Sequence, residues 1–162
     1  MTAPAEIAGA HQDATGRYAV VVARFNPEVT DGLLAGARET LAAAGVSDGR
    51  ITIVRVPGAF EIPLTARTLA ASGRFDAVIC LGCLIKGDTM HFEYIAEAAA
   101  HGIAEAGAAT GVPVTFGVLT TLTDEQAILR SRPGSENKGR EATLAAIEMV
   151  GVLRAIRAGA PA

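Results

Sequence analysis

The chain has 162 residues, with 14 Lys and Arg against 17 Asp and Glu, and a net charge of −3. This length fits one domain, and the charge balance excludes a strong positive surface that would attract nucleic acid or an anionic membrane. Half of the residues are hydrophobic and 19% are charged, which excludes an intrinsically disordered chain. The longest nearly apolar run, residues 77–85, is about half of what a membrane span requires.

The beginning of the chain lacks a basic and then apolar signal pattern, and its two cysteines cannot build a disulfide framework. We therefore expect a cytoplasmic protein. The mean hydropathy of +0.34 is high for a chain without a membrane segment. Contact between identical subunits would bury such apolar surface, so the composition predicts an oligomer.

Residues 1–16 mix Ala, Pro, Gly, Gln, His and Thr without a period, which predicts a flexible N-terminal arm. Residues 17–158 are predicted to form a single α/β domain. Within it, short apolar runs alternate with longer helical stretches. The runs are apolar almost throughout, which is typical of parallel strands buried on both faces. The predicted strands are Tyr18 to Ala23, Ile51 to Val56, Ala77 to Cys83 and Val114 to Leu119.

Helical patterns follow each strand. The predicted helices run from a Thr30 cap to Ala44, from Glu61 to Ser72, from after Thr89 to Ala106, from a capping box at Thr123, and from Lys138 to Arg157. Right-handed crossovers between parallel strands then give a flavodoxin-like three-layer α/β sandwich, with a four-stranded parallel sheet and helices on both faces.

Ligands in such sheets bind at the carboxyl ends of the strands. The Gly87-Asp88-Thr89 turn follows the third strand and precedes a helix, so it forms either a phosphate cradle of free N–H groups or an ordinary cap. His91 lies in the first turn of that helix, where the helix dipole favours a neutral ring, and is a candidate base. His11 lies in the arm and His101 inside the helix, and we assign neither a chemical role.

Two further features have open interpretations. Phe25 either stacks on a planar ligand or closes the core. Cations surround the break between the last two helices, and they form either an anion site or a solvated face with Glu141 as an internal partner of Lys138. These cations are Arg130, Arg132, Lys138 and Arg140.

Cys80 and Cys83 have the spacing of a redox or zinc pair, but positions i and i+3 of a strand face opposite sides. We interpret both as buried hydrophobic residues. Residues 24–28 carry neither the acidic cluster of a receiver domain nor the Ser- and Thr-rich phosphate loop of a flavodoxin-type FMN binder.

Six segments lie in order along the chain. They are Ala23 to Asn26, Val56 to Pro63, Gly82 to Phe92, Phe116 to Thr120, Glu125 to Ala127, and Asn137 to Ala142. Together they resemble the lumazine synthase family from Tyr18 to about Leu153. The resemblance implies a transferase of riboflavin biosynthesis that needs no metal and no organic cofactor. It condenses 5-amino-6-(D-ribitylamino)uracil with 3,4-dihydroxy-2-butanone 4-phosphate to give 6,7-dimethyl-8-ribityllumazine, phosphate and water.

The resemblance also implies the roles of individual residues. Phe25 would stack on the pyrimidine ring, and His91 would shuttle protons. The other implied substrate contacts are Asn26, Ala59, Phe60 and Glu61 for the ribityl chain, Leu84, Ile85 and Lys138 for the pyrimidine edge, and Gly87, Asp88, Thr89 and Arg130 for the phosphate. Residues 132–136 replace a more glycine-rich turn of many members, which leaves the assembly beyond the pentamer open. The presence of Arg132 in this turn also leaves open whether it shares the phosphate with Arg130.

In the family, adjacent subunits share the site, so Phe116, Arg130 and Lys138 would come from the neighbour. The implied partners are identical subunits in a pentamer, which some members pair into decamers or close into a sixty-subunit shell, and riboflavin synthase. Neither nucleic acid nor membrane is expected. The alternatives are a non-catalytic relative that binds lumazine or flavin, and a structural shell subunit. The first alternative is disfavoured because a binding protein needs neither a proton shuttle nor a phosphate site, and the chain keeps Phe25, Glu61, His91, Arg130 and Lys138 together.

Overall fold

Four parallel strands form the central sheet of the structure, a computed structural model that describes residues 3–159. The sheet order is β2-β1-β3-β4. The strands are β1 (Tyr18–Ala23), β2 (Ile51–Val56), β3 (Ala77–Ile85) and β4 (Val114–Thr121). All neighbouring strands pair in parallel, as predicted. The ends of β3 and β4 extend two residues beyond the predicted ones.

Helices cover both faces of the sheet. In residues 3–159 the structure has α1 (Pro27–Ala43), α2 (Ile62–Ala71), α3 (His91–Thr110), α4 (Asp124–Leu129) and α5 (Lys138–Arg157). The pair α1 and α5 packs on one face, and the pair α2 and α3 packs on the other. The predicted flavodoxin-like three-layer sandwich is therefore confirmed. No helix within these residues is both long enough and apolar enough to cross a membrane.

The two central strands are buried on both faces. Along β1, Tyr18, Val20 and Val22 pack against the α1 and α5 layer, while the alternate residues pack against α2 and α3. The prediction of full burial holds for β1 and β3 and is wrong for the edge strands. Ile53 in β2 and Phe116 in β4 are 39% and 46% exposed, because an edge strand has a neighbour on one side only.

The first helix begins earlier than predicted. Pro27 opens α1, and Asn26 precedes it in the left-handed conformation, with φ of 58°. Thr30 is not the cap: it is buried in the first turn, and its hydroxyl donates to the Asn26 carbonyl at 3.3 Å. The predicted cap failed because proline suits the first turn of a helix and asparagine tolerates a positive φ.

The other helix ends follow the sequence signals more closely. The Thr123 hydroxyl accepts the Gln126 N–H at 3.2 Å, so the predicted cap of α4 is confirmed. The bounds of α5 are as predicted, and its Asn137 cap accepts the Arg140 N–H at 3.0 Å. Helix α3 extends beyond Ala106 to Thr110, and it ends at Gly111, which has a φ of 69°. Glycine is favoured at this position because it has no side chain to clash.

Asp13 ties the end of the N-terminal segment to the amino ends of the strands. Its carboxylate accepts the Tyr18 hydroxyl at 2.6 Å and Arg154 Nη1 at 3.1 Å, and Arg154 also lies 3.5 Å from Asp76. Burial raises the pKa of Asp13, but these hydrogen bonds outweigh it and lower the pKa from 3.8 to about 2. Met1 and Thr2 of the predicted arm lie outside the described residues, and the flexibility of the arm stays a prediction.

We predict that Asp13→Asn lowers the free energy of unfolding at neutral pH by about 1–3 kcal/mol, because the amide NH2 that replaces one carboxylate oxygen cannot accept the Tyr18 hydroxyl, and Arg154 loses its charged partner. The contribution of Asp13 is present above the unfolded pKa near 3.8 and is lost as the pH falls through about 2. Urea unfolding at one protein concentration, at neutral pH and across this acid range, measures both effects. An unchanged acid dependence in the variant would contradict the assignment.

Candidate active site

The loops after β1, β2 and β3 meet around one cavity of about 550 Å³ at the carboxyl edge of the sheet. The predicted site residues that line this cavity are Phe25, Asn26, Ala59, Phe60, Glu61, Leu84, Ile85 and His91. The structure thus brings together the candidates from three separate segments of the chain. A cavity of this size can enclose most of a small organic ligand.

Phe25 does not close the core. Its side chain is 68% exposed and borders the cavity, so the stacking interpretation remains and the core interpretation is wrong. Gly58 allows the ring to lie close to the loop after β2, because a Cβ at Gly58 would lie 2.8 Å from the Phe25 ring. The ring therefore presents an apolar face to whatever enters the cavity.

Asn26 joins the first loop to the end of β3. Its Nδ2 donates to the Cys83 carbonyl at 2.9 Å. This bond accompanies the left-handed backbone at Asn26, which is a conformation that few residues adopt without strain. The bond fixes the neighbouring Phe25 relative to β3.

Glu61 closes the turn that follows β2. Its Oε2 accepts the Gly58 N–H at 3.0 Å across the 3₁₀ turn Ala59–Glu61. The carboxylate is held at the cavity wall, where it can accept hydrogen bonds from hydroxyl groups. Phe60 in the same turn is 61% exposed.

His91 is the first residue of α3, is exposed and lines the cavity. The predicted phosphate turn, Gly87-Asp88-Thr89, is also exposed and lies in the loop between β3 and α3. It does not line this cavity. The turn is therefore not part of the cavity wall, although only Met90 lies between Thr89 and His91 in the chain.

A second cavity, of about 450 Å³, lies along β4 and the beginning of α5. Phe116, Arg130 and Lys138 line it, and none of them borders the first cavity. Within a single chain, the predicted site residues therefore fall into two separate groups. The other two cations of the sequence cluster lie elsewhere: Arg132 is exposed, and Arg140 borders a different cavity.

The two cations of the second cavity have partners in their own chain. Lys138 Nζ lies 2.5 Å from Glu141 Oε2, which confirms the interpretation of Glu141 as an internal partner. Arg130 Nη1 donates to the Gln126 carbonyl at 3.0 Å. Glu141 also lines the cavity, so a ligand there meets a carboxylate as well as two cations.

The cavity walls include three residues that the sequence did not predict there, Gly58, Ile95 and Glu141. Ile95 lies four residues after His91, so the helical period alone places it on the same face as the histidine. Gly58 gave no such signal, because its role is to make room for a ring that approaches from another loop.

The two cysteines are buried and unbridged. Cys80 packs into the α2 and α3 layer and Cys83 into the α1 and α5 layer. Burial raises the pKa of the Cys83 thiol to about 11, which leaves little reactive thiolate at neutral pH. Their interpretation as buried hydrophobic residues is confirmed.

A parallel sheet that gathers an aromatic ring, a carboxylate and an imidazole at its carboxyl edge is the framework of an α/β enzyme for a small molecule. The chain belongs to the 6,7-dimethyl-8-ribityllumazine synthase family, whose sequence model matches residues 15–154. It is 56% identical to "6,7-dimethyl-8-ribityllumazine synthase 1" of Caulobacter vibrioides over 144 residues, which cover 89% of this chain and 94% of that protein. It is 53% identical to "6,7-dimethyl-8-ribityllumazine synthase" of Edwardsiella ictaluri over 143 residues, 88% of this chain and 92% of that one.

The resemblance seen in the six segments is therefore confirmed. The chain is a transferase of riboflavin biosynthesis that forms 6,7-dimethyl-8-ribityllumazine.

We predict that Asn26→Ala destabilises the fold more than Asn26→Gly, by about 1 kcal/mol. Both variants lose the bond to Cys83, but only alanine must also adopt a positive φ with a Cβ. Denaturant unfolding of the two variants and the parent measures the difference. Equal stability of the two variants would show that the left-handed backbone is not retained.

Proposed function

We propose that two copies of the chain share each active site. One copy contributes the cavity with Phe25 and His91, and the other contributes Phe116, Arg130 and Lys138. The observation that supports this proposal is the division of the site residues between two cavities of one chain. A single copy would then hold half of each site.

The first cavity suits the pyrimidine substrate. Phe25 stacks on the pyrimidine ring, while Asn26, the Ala59-Phe60 backbone and Glu61 hold the ribityl hydroxyls. Strand β3 ends with Leu84 and Ile85, four residues beyond Leu81, where its pairing with β1 ends. Backbone groups on the β1 side of this end are thus available to the pyrimidine edge, together with Lys138 of the second copy.

The phosphate of the second substrate binds to the Gly87-Asp88-Thr89 turn and to Arg130 of the neighbouring copy. The N–H groups at the beginning of α3, a helix of 20 residues, favour an anion. Arg130 adds a planar fork of donors. Loss of this phosphate is part of the reaction, and both contacts stabilise the departing dianion.

His91 transfers protons between the two substrates. It lies on the wall of the first cavity, two residues after Thr89, which ends the phosphate turn. Imine formation requires a proton to leave the attacking amine, and elimination of phosphate requires a proton to be removed from carbon. One imidazole within reach of both centres can perform both transfers as a general base and acid. Much of the remaining acceleration comes from holding the two reactants in register.

Exposed apolar side chains are consistent with assembly of identical subunits. Leu64 on α2 and Tyr94 on α3 are 75% and 71% exposed, and Phe116 on the edge strand β4 is half-exposed. Side chains of this size lose unfavourable contact with water when copies associate. A pentamer, and its further pairing or closure into a shell, remains part of the proposal, as does the cytoplasmic location.

We predict that His91→Ala lowers the turnover of lumazine formation by about 100-fold or more, without a change in fold or assembly. The absorbance of the product measures turnover at saturating substrates. His101→Ala, on the same helix, is the matched control and retains parental turnover. A parent protein that is folded but forms no product would instead support the non-catalytic relative, and an unchanged rate in the variant would remove His91 from the mechanism.

We predict that Arg130→Ala raises the KM for the butanone phosphate by about tenfold or more, with a smaller effect on the pyrimidine substrate, because a charge-assisted contact to phosphate is lost. Initial rates at varied concentrations of each substrate give the two values. An equal rise for both substrates would contradict the assigned role.

The shared site has its own test, in which two defective variants are mixed. We predict that equal amounts of His91→Ala and Arg130→Ala subunits, dissociated and reassembled together, regain activity in about one quarter of their sites, since random mixing pairs an intact first half with an intact second half at that frequency. The activity is measured at a butanone phosphate concentration well below the parental KM, where sites that lack Arg130 are slow. Each variant reassembled alone is the control. Mixed assemblies no more active than these controls would place the whole site within one copy.

A further inference from the structure

One ion pair spans the loop that contains the phosphate turn. Lys86 follows the last residue of β3, and Glu93 lies in the first turn of α3. Lys86 Nζ is 2.8 Å from Glu93 Oε1. The Lys86 N–H also donates to the Thr121 carbonyl at 2.9 Å, which anchors the lysine to β4. The side chains of Lys86 and Glu93 thus join the two ends of the loop.

The carboxylates around this loop disfavour a bound anion, and the ion pair between Lys86 and Glu93 reduces this effect. Asp88 and Glu93 are carboxylates beside the helix N-terminus, and Lys86 is the cation in contact with Glu93. Two uncompensated negative charges beside this turn would offset the favourable effect of the helix end on a phosphate bound there. Lys86 cancels one of them and holds it in place.

Glu93 is well placed to keep this charge. Its Oε1 is the atom that contacts Lys86, and its Oε2 is buried without a hydrogen-bond partner among the described residues. Two hydrogen bonds lower the pKa of Glu93. The larger effect comes from Lys86, and the smaller one comes from the N–H of Glu93 itself. The carboxylate is therefore ionised at neutral pH, so the loss of Lys86 would leave an uncompensated charge that is partly shielded from water.

We propose that Lys86 is a positioning residue for the phosphorylated substrate: it neutralises Glu93 and holds this carboxylate away from the phosphate at the Gly87-Asp88-Thr89 turn. This inference rests on the proposed function, in which the phosphate binds at that turn. Lys86 acts through Glu93 and the loop, and contact between Lys86 and the substrate is not required.

Four variants distinguish the effect of the charge on Glu93 from the effect of the Lys86 side chain itself. Lys86→Met leaves Glu93 unpaired, and we expect it to raise the KM for the butanone phosphate about three- to tenfold, with the KM for the pyrimidine changed less than about twofold. Glu93→Gln, which leaves no negative charge to cancel, does not raise either KM. The double variant Lys86→Met with Glu93→Gln recovers most of the loss, and Lys86→Arg behaves as the parent.

Inorganic phosphate provides a second readout, because it competes with the phosphorylated substrate. Its inhibition constant rises in Lys86→Met and returns in the double variant. Salt screens the uncompensated charge, so the difference between parent and Lys86→Met shrinks at high ionic strength. Arg67→Met removes an exposed pair with Glu105, at 3.8 Å between α2 and α3, and serves as the matched control with both KM values unchanged.

Several results would overturn the inference. They are an equal rise of both KM values in Lys86→Met, a double variant no better than Lys86→Met, and a raised KM for the butanone phosphate in Glu93→Gln. If Lys86→Met does not fold, Glu93→Gln and Lys86→Arg still test the inference, since a rise in either contradicts it. A parent that forms no lumazine defeats the proposed function instead, which distinguishes the two failures.

Discussion

Parallel pairing is the constraint on which the site depends. Because β1, β2 and β3 run in the same direction, the loops that follow them leave the sheet at one edge, and residues distant in sequence meet there. The pairing in turn depends on burial of β1 and β3 on both faces, which the α1 and α5 layer and the α2 and α3 layer provide. The cavity is therefore a consequence of the core, and its residues need little local structure of their own to be brought together.

Much of the fold could be predicted because its signals are local. The apolar run of β1 specifies its strand directly, and the predicted bounds of β1 and α5 match those of the structure. The beginning of α1 was predicted wrongly although Pro27 is itself a local signal for a first helical turn. The left-handed backbone of Asn26 is harder to predict, because it is accompanied by a bond to Cys83, which is distant in sequence. The exposure of the edge strands is likewise invisible in a run of apolar residues, since it depends on which strands have neighbours.

The same distinction between local signals and properties of the folded chain applies to the candidate site. Residue types and the strand-end rule locate His91 and Phe25 correctly at the cavity. They cannot say whether Phe25 faces solvent, which depends on how closely the loop with Gly58 approaches the ring. They also cannot show that Phe116 and Lys138 face a separate cavity, because that separation is a property of the folded chain.

The ion pair of the second cavity is weak enough for a ligand to replace one of its partners. Lys138 and Glu141 lie three residues apart on α5, and such pairs contribute only about 0.2–0.5 kcal/mol. A ligand with several polar groups can therefore compete for Lys138 at small cost. The internal partner keeps the lysine ordered in the meantime, so the presence of Glu141 and a binding role for Lys138 are compatible.

Helix α5 carries residues with two different roles at its two ends. Lys138 stands at its beginning, beside a substrate cavity, and Arg154 stands near its end, bonded to Asp13. At 1.5 Å per residue these positions are about 24 Å apart. Changes that strengthen the Arg154 end can thus raise heat tolerance while the reacting groups keep their surroundings.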